Sequence, residues 1–200
     1  MNSIDSITLE VSDLEAARTF YGRAFELGDL VRLRASDAPT TGFRGYTLSL
    51  VVSQPSTVVA LFDSAVAAGA TTLKPAAKSL WGFGGVVQAP DGAIWNIATS
   101  SKKDTAPPNR KVDEVVLLLG VDDVRASKRF YVEHGLTVGK SVGSFVDFAM
   151  PSSPIGLGLY RRGALAKSAG VSPDGSGSHR IVVNGDEALT DPDAFVWEAA

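Results

Sequence analysis

The stretch "SITLEVSDLEAARTFY", residues 6–21, returns 110 residues later as "VVLLLGVDDVRASKRFY", residues 115–131. Val11, Asp13, Ala16, Phe20 and Tyr21 recur as Val121, Asp123, Ala126, Phe130 and Tyr131. In the first copy Ile7, Leu9 and Val11 alternate with Thr8 and Glu10, the period of a half-buried strand. Ser12-Asp13-Leu14-Glu15 has the form of a capping box, with Ser12 expected as the cap of the helix that follows. Leu14, Ala17, Tyr21 and Ala24 continue at helical spacing. The second copy has a more solidly apolar strand, as expected for burial on both faces.

A second repeat closes each half. "APDGAIWNIA" (89–98) and "DPDAFVWEAA" (191–200) are identical at four of ten positions, including a Pro-Asp turn and a Trp four residues after the Asp. After that Trp, one copy has Asn96 and the other Glu198. The polar stretch "SSKKDTAPPNRK" (100–111) has no large apolar residue and reads as a linker. Two units are therefore expected, 1–101 and 111–200, joined by 102–110.

The middles differ. "GFRGYTLSLVVS" (42–53) aligns with "GSHRIVVNG" (177–185), which sets Arg44 opposite His179. The first half continues through a helix in "STVVALFDSAVAAGA", with a Ser56 cap and a Gly69 stop, then strands near "TTLKP" and "GFGGVVQAP". The second half lacks that helix but has extra strands, "SFVDFAM" and "IGLGLYRR". Each half reads as a larger unit missing a different piece.

The totals narrow the function. The chain has 200 residues, a net charge of −3 and no cysteine. That balance offers nothing to phosphate backbones or anionic lipid, so neither nucleic acid nor membrane is an expected partner. Without cysteine there is no disulfide, thiolate nucleophile or thiolate-held zinc, which fits a cytoplasmic protein. The start shows no secretory pattern, and no apolar run reaches the roughly 18 residues of a membrane span. There is no Gly-x-Ser-x-Gly elbow, and "SLWGFGG" lacks the Gly-Lys-Ser/Thr ending of a phosphate loop.

"VSDLEAARTFY", "GVDDVRASKRFY", "GATTLKPAAKSLWGFGGVVQAPDGAIWNIA" and "DPDAFVWEAA" together resemble the vicinal oxygen chelate superfamily of glyoxalase I, bleomycin-resistance proteins and extradiol dioxygenases. The resemblance implies an α+β fold, tandem glyoxalase-like domains built from βαβββ modules with curved mixed sheets around a cleft for a small molecule. In metal-dependent members, His on the first strand and Glu on the closing strand hold a divalent ion that grips two substrate oxygens. Here the first-strand positions carry Ser6 and Val116. Asn96 stands at one closing position and Glu198 at the other. Metal candidates reduce to His179 and Glu198, too few for a tight site of zinc, nickel, manganese or iron.

The expected function is thus small-molecule binding without a tightly held metal. The rivals are a metal-dependent lyase, isomerase or dioxygenase, and a structural module. Arg44, Lys78, Trp81, Trp95 and His179 are the candidate ligand-binding residues. Trp81, among glycines, is expected to work with Arg44 as a grip on a planar anion. Trp95 and Trp197 are core by default, with a wall of the cleft as the alternative. The Phe20-Tyr21 and Phe130-Tyr131 pairs are expected in the helix-to-sheet core, and His134 as a helix C-terminal cap. Unpaired sheet edges predict a homodimer.

Overall fold

The computed structural model describes residues 1–200. The chain runs through four groups of elements. The first holds β1 (Ile4–Val11), α1 (Leu14–Ala24), β2 (Val31–Ala35) and β3 (Thr40–Gly42). The second is a complete βαβββ module: β4 (Tyr46–Val51), α2 (Pro55–Ala67), β5 (Thr71–Ser79), β6 (Gly82–Gln88) and β7 (Ile94–Thr99). The third is another: β8 (Glu114–Val121), α3 (Val124–Glu133), β9 (Thr137–Val142), β10 (Phe145–Ala149) and β11 (Ile155–Arg161). The last holds α4 (Arg162–Ala169), β12 (Gly175–Gly177), β13 (Ile181–Gly185), β14 (Leu189–Thr190) and β15 (Val196–Ala199).

The two complete modules share one eight-stranded sheet, ordered β5-β6-β7-β4-β8-β11-β10-β9. They meet where β4 and β8 run antiparallel, with Leu48 opposite Leu117. The incomplete groups make a five-stranded sheet, β14-β15-β13-β1-β2, with β1 antiparallel to β13 at its centre. Both sheets therefore take strands from both sides of 102–110, and the expected division at that stretch does not follow the sheets. The missing pieces are now explicit. The first group goes from β1 and α1 directly to β2, which pairs parallel with β1 as β7 does with β4. The last group has no helix between β13 and β14.

Strand alternation sends Ile7, Leu9 and Val11 inward from one sheet and Leu48, Leu50, Leu117 and Leu119 inward from the other. These residues belong to one cluster of 37 buried side chains, so the two sheets share their main core. The helix caps differ from expectation. Asp13, not Ser12, caps α1 by accepting from the Ala16 amide, and Asp123 does the same for α3. The shared Asp holds the cap position in both copies, and at α3 its carboxylate accepts from two amides, those of Arg125 and Ala126. Gln54 rather than Ser56 precedes α2, because Pro55 fits the first helical position, where no amide is needed. His134 closes α3 as expected, its Nδ1 2.8 Å from the Phe130 carbonyl.

The repeated aromatic pairs join the repeated turns. Tyr21 on α1 donates its hydroxyl to Asp91 Oδ2 at 2.8 Å, and Trp95 Nε1 on β7 donates to that hydroxyl at 3.4 Å. Tyr131 on α3 donates to Asp191 Oδ2 at 2.6 Å, and Trp197 Nε1 on β15 donates to Tyr131 at 3.3 Å. Each clasp ties a helix of one sheet's group to the closing strand of the other sheet. The copies are not identical in register. Asp193 is the sequence counterpart of Asp91, yet it accepts from the Asp122 amide and the Ser127 hydroxyl, while Asp191 takes the tyrosine. Burial, then the facing carboxylate, pushes both tyrosine hydroxyls well above their ordinary range. Burial also raises Asp191, against the opposing effect of the Tyr131 hydrogen bond.

Asp191 is buried and Asp91 is only half-buried, so water can replace a lost hydroxyl at Asp91 alone. Tyr131→Phe is expected to cost about 1–3 kcal/mol of stability, and Tyr21→Phe about 1 kcal/mol or less. Losing the Tyr131 donor lifts the folded-state pKa of Asp191 further above its unfolded value. A raised carboxyl binds protons more readily folded than unfolded, so its destabilising contribution is full above the folded pKa and fades as pH falls through it. The Tyr131→Phe deficit should therefore shrink between neutral pH and pH ~4, as read by urea melts at each pH.

Because the sheets cross the linker, residues 1–101 alone should leave β1 and β4 without their central partners. That fragment and 111–200 are each expected to be molten or insoluble alone, and to recover a cooperative melt when co-expressed. A sharp melt from either fragment alone would contradict the shared core.

Candidate functional site

The faces of the two sheets that point away from the shared core are where ligand chemistry can occur. On the eight-stranded sheet, β4 turns Thr47 and Ser49 to that outer face. Register places Val86, Asn96, Ser49, Val116 and Gly156 in one row across β6, β7, β4, β8 and β11. The row offers an amide and a hydroxyl, with Asn96 Nδ2 3.4 Å from Ser49 Oγ, and at its β11 end the Glu114 carboxylate reaches over Gly156.

Beside this row the chain covers its own sheet. Leu165, Ala166 and Ala169 of α4 pack with Phe43, Val86 and Ile94, and with the half-buried Leu118 and Tyr160, in a separate small core. Gly120 permits the approach: a Cβ there would lie 3.2 Å from Arg162 Cα and 3.2 Å from Leu165 Cδ2. Lys74 Nζ closes the C-terminal end of α4 by donating to the Lys167 and Ser168 carbonyls at 3.0 and 2.5 Å. The Arg162 guanidinium donates to the Phe43 and Pro173 carbonyls and lies over the Phe43 ring, 5.2 Å from its centre.

The part of the face that α4 leaves open is a groove of about 570 Å³. Gly84, Val86, Asn96 and Ala98 form its floor, Ser168 stands on the α4 side, and Lys78 and Trp81 stand at the rim. Trp81 is 83% exposed at the tip of the β5–β6 hairpin. Lys78 and Trp81, two of the five candidate ligand-binding residues, thus line the same groove.

Three other candidates are engaged inside the protein. Arg44 donates from Nη2 to the Asp91 carbonyl at 2.5 Å, and its guanidinium packs where a side chain on Gly92 would lie. It holds the turn at the far end of β6 from Trp81, about 20 Å away at the rise of a strand. The expected Arg44–Trp81 grip does not form. Trp95 is fully buried and committed to Tyr21. His179 stacks on Phe195 with ring centres 4.0 Å apart. Its Nδ1 is 2.5 Å from the Arg44 carbonyl and its Nε2 2.9 Å from the Asp193 carbonyl. Both ring nitrogens lie within hydrogen-bonding distance of backbone oxygens inside the protein.

Glu198 lies on the outer face of the five-stranded sheet. Arg34 Nη1 donates to its two oxygens at 3.0 and 3.2 Å, and Arg34 Nη2 donates to Glu10 Oε1 at 2.9 Å. The hydrogen bonds with Glu198 and then Glu10 hold the guanidinium still more firmly protonated. His179 and Glu198 share no partner, and no three His, Asp or Glu side chains gather as a metal site. The donor set that the sequence left for a divalent ion does not fit one. Glu10 and Arg34 were not legible as a pair, because each is an ordinary polar position on an alternating strand until β1 and β2 are set in register.

No protein-family model matches the sequence, and no curated protein matches it. Solved structures do. The V278E variant of glyoxalase I from Zea mays superposes with a TM-score of 0.63 over 98% of this chain and 90% of that chain, at 15% identity. The chain has the vicinal oxygen chelate fold. Glyoxalase I from Zea mays gives a TM-score of 0.60 at 14% identity, covering 93% of this chain and 75% of that one. A putative dioxygenase from Bacillus subtilis gives 0.58 at 12% identity, covering 96% and 72%. At these identities the likeness is one of fold. No helix is long and apolar enough to cross a membrane.

His179 is placed as a structural residue. His179→Ala removes a ring stack and two carbonyl partners, and is expected to cost roughly 1–3 kcal/mol in chemical denaturation. Zinc and nickel titrations of the folded variant should match wild type. A loss of bound metal on this substitution would reverse the assignment.

Proposed function

We propose that this chain is a cytoplasmic small-molecule-binding protein of the glyoxalase/bleomycin-resistance type, which takes a flat aromatic anion in the groove beside α4 without a metal held by the sheet. The observation that carries this reading is the position of α4. It fills the middle of the outer face and leaves one groove whose volume lies within the usual range of ligand sites, about 300–1,000 Å³. Small residues, Gly84 and Ala98, keep part of the floor flat. Trp81 supplies a ring for stacking, and Lys78 a mobile cation for a carboxylate. Asn96 supplies a hydrogen-bonding amide where the resemblance would place a metal ligand. Nothing in the groove is arranged as a nucleophile with its base, which favours binding over turnover.

The three tryptophans separate cleanly, since Trp95 and Trp197 are buried and Trp81 is exposed. Acrylamide should quench Trp81 selectively, and a bound aromatic carboxylate should protect it. Across a panel of benzoate, naphthoate and anthraquinone carboxylates, at least one compound is expected to alter the emission. Trp81→Ala and Lys78→Ala should each weaken that binding about tenfold, or ~1.4 kcal/mol. If no compound moves the signal, or if both variants bind as wild type does, the groove is not the binding site.

A further inference from the structure

We infer that Arg34 is the resident cation of the five-stranded sheet: its guanidinium holds Glu10 and Glu198 across the outer face and closes that face to divalent ions. The inference is independent of what the groove beside α4 binds.

The carboxylates come from β1 and β15, which are separated in the sheet by β13, while Arg34 comes from β2 on the other side of β1. Neighbouring strands lie about 4.8 Å apart, so β2 and β15 are about 14 Å apart along the sheet. A direct bond from Arg34 to Glu198 requires the sheet to curl, bringing its sides toward each other over the outer face. On the strands between, Thr8 and Asn184 alternate with inward-facing Ile7, Leu9 and Val183 and so share the outer face with the ion pairs. Both are buried, with Asn184 Nδ2 donating to Thr8 Oγ1 at 2.9 Å. Ser6, opposite Asn184, is also buried, and its hydroxyl has no hydrogen-bond partner. Two carboxylates, a buried amide and an unpartnered hydroxyl therefore converge on one face, and the charge that balances them is a side chain.

Arginine suits the task because its planar fork can serve two carboxylates at once, whereas a lysine presents a single point. Being tethered, it competes at an effective concentration in the millimolar range for a short flexible link. Micromolar free metal cannot displace it. The eight-stranded sheet has no such pair in its corresponding row, and α4 covers its neighbouring row instead.

The test is isothermal titration of tag-free protein with Mn²⁺ and Zn²⁺, with circular dichroism confirming the fold. Arg34→Gln keeps much of the stem and removes the charge. It is expected to gain one divalent site at least tenfold tighter than any in wild type, and the double variant Arg34→Gln/Glu198→Gln should lose that gain. Arg34→Lys keeps the charge without the fork and should bind between the two, at least threefold tighter than wild type. Folded Arg34→Gln binding no tighter than wild type would overturn the inference. So would a wild-type equivalent of metal that Glu198→Gln abolishes. If Arg34→Gln does not fold, Arg34→Lys decides alone: affinity equal to wild type overturns the inference.

Discussion

Two tyrosine hydroxyls hold the molecule to its architecture. Tyr21 and Tyr131 each donate to a carboxylate at the turn before a tryptophan strand, and each turn belongs to the sheet opposite the tyrosine's own group. Leaving either of these buried hydroxyls without its acceptor would cost about 1–3 kcal/mol. The clasps thus specify which helix packs against which turn. With that fixed, β1 lies against β13 and β4 against β8, and the single core closes between them.

Both outer faces are modified in the same direction by different means. The large sheet is filled by apolar side chains of α4, which the glycine at position 120 admits to close contact. The small sheet is spanned by ion pairs from Arg34. Filling with a helix excludes water and makes a dry satellite core. Spanning with a guanidinium leaves the face polar but balances its charge. What remains open is a groove with an aromatic and a lysine at its rim.

The contrast between Asn96 and Glu198 follows from their surroundings. Asn96 sits beside Ser49, where its amide meets a hydroxyl and no arginine pairs with it. Glu198 has Arg34. Each residue matches the electrostatics of its own sheet.

The sequence by itself determined the local elements and the kinship between them. Strand alternation in 6–11, helical spacing in 14–24 and the twice-repeated Phe-Tyr and Pro-Asp…Trp motifs point to α+β modules and to the fold, because these signals rest on periods of two and 3.6 residues and on turn chemistry. The setting of Trp81 among glycines also pointed to an exposed ring, and the side chain is 83% exposed. Tertiary structure alone decided the rest. Which strands share a sheet depends on contacts more than a hundred residues apart, as between Ile7 and Val183, and no local period encodes such a pairing. Arg44 and His179 look free in the sequence, yet both are bound to backbone carbonyls that only the folded chain brings near them. Arg34 and Glu198 stand 164 positions apart, and only a curled sheet makes them neighbours.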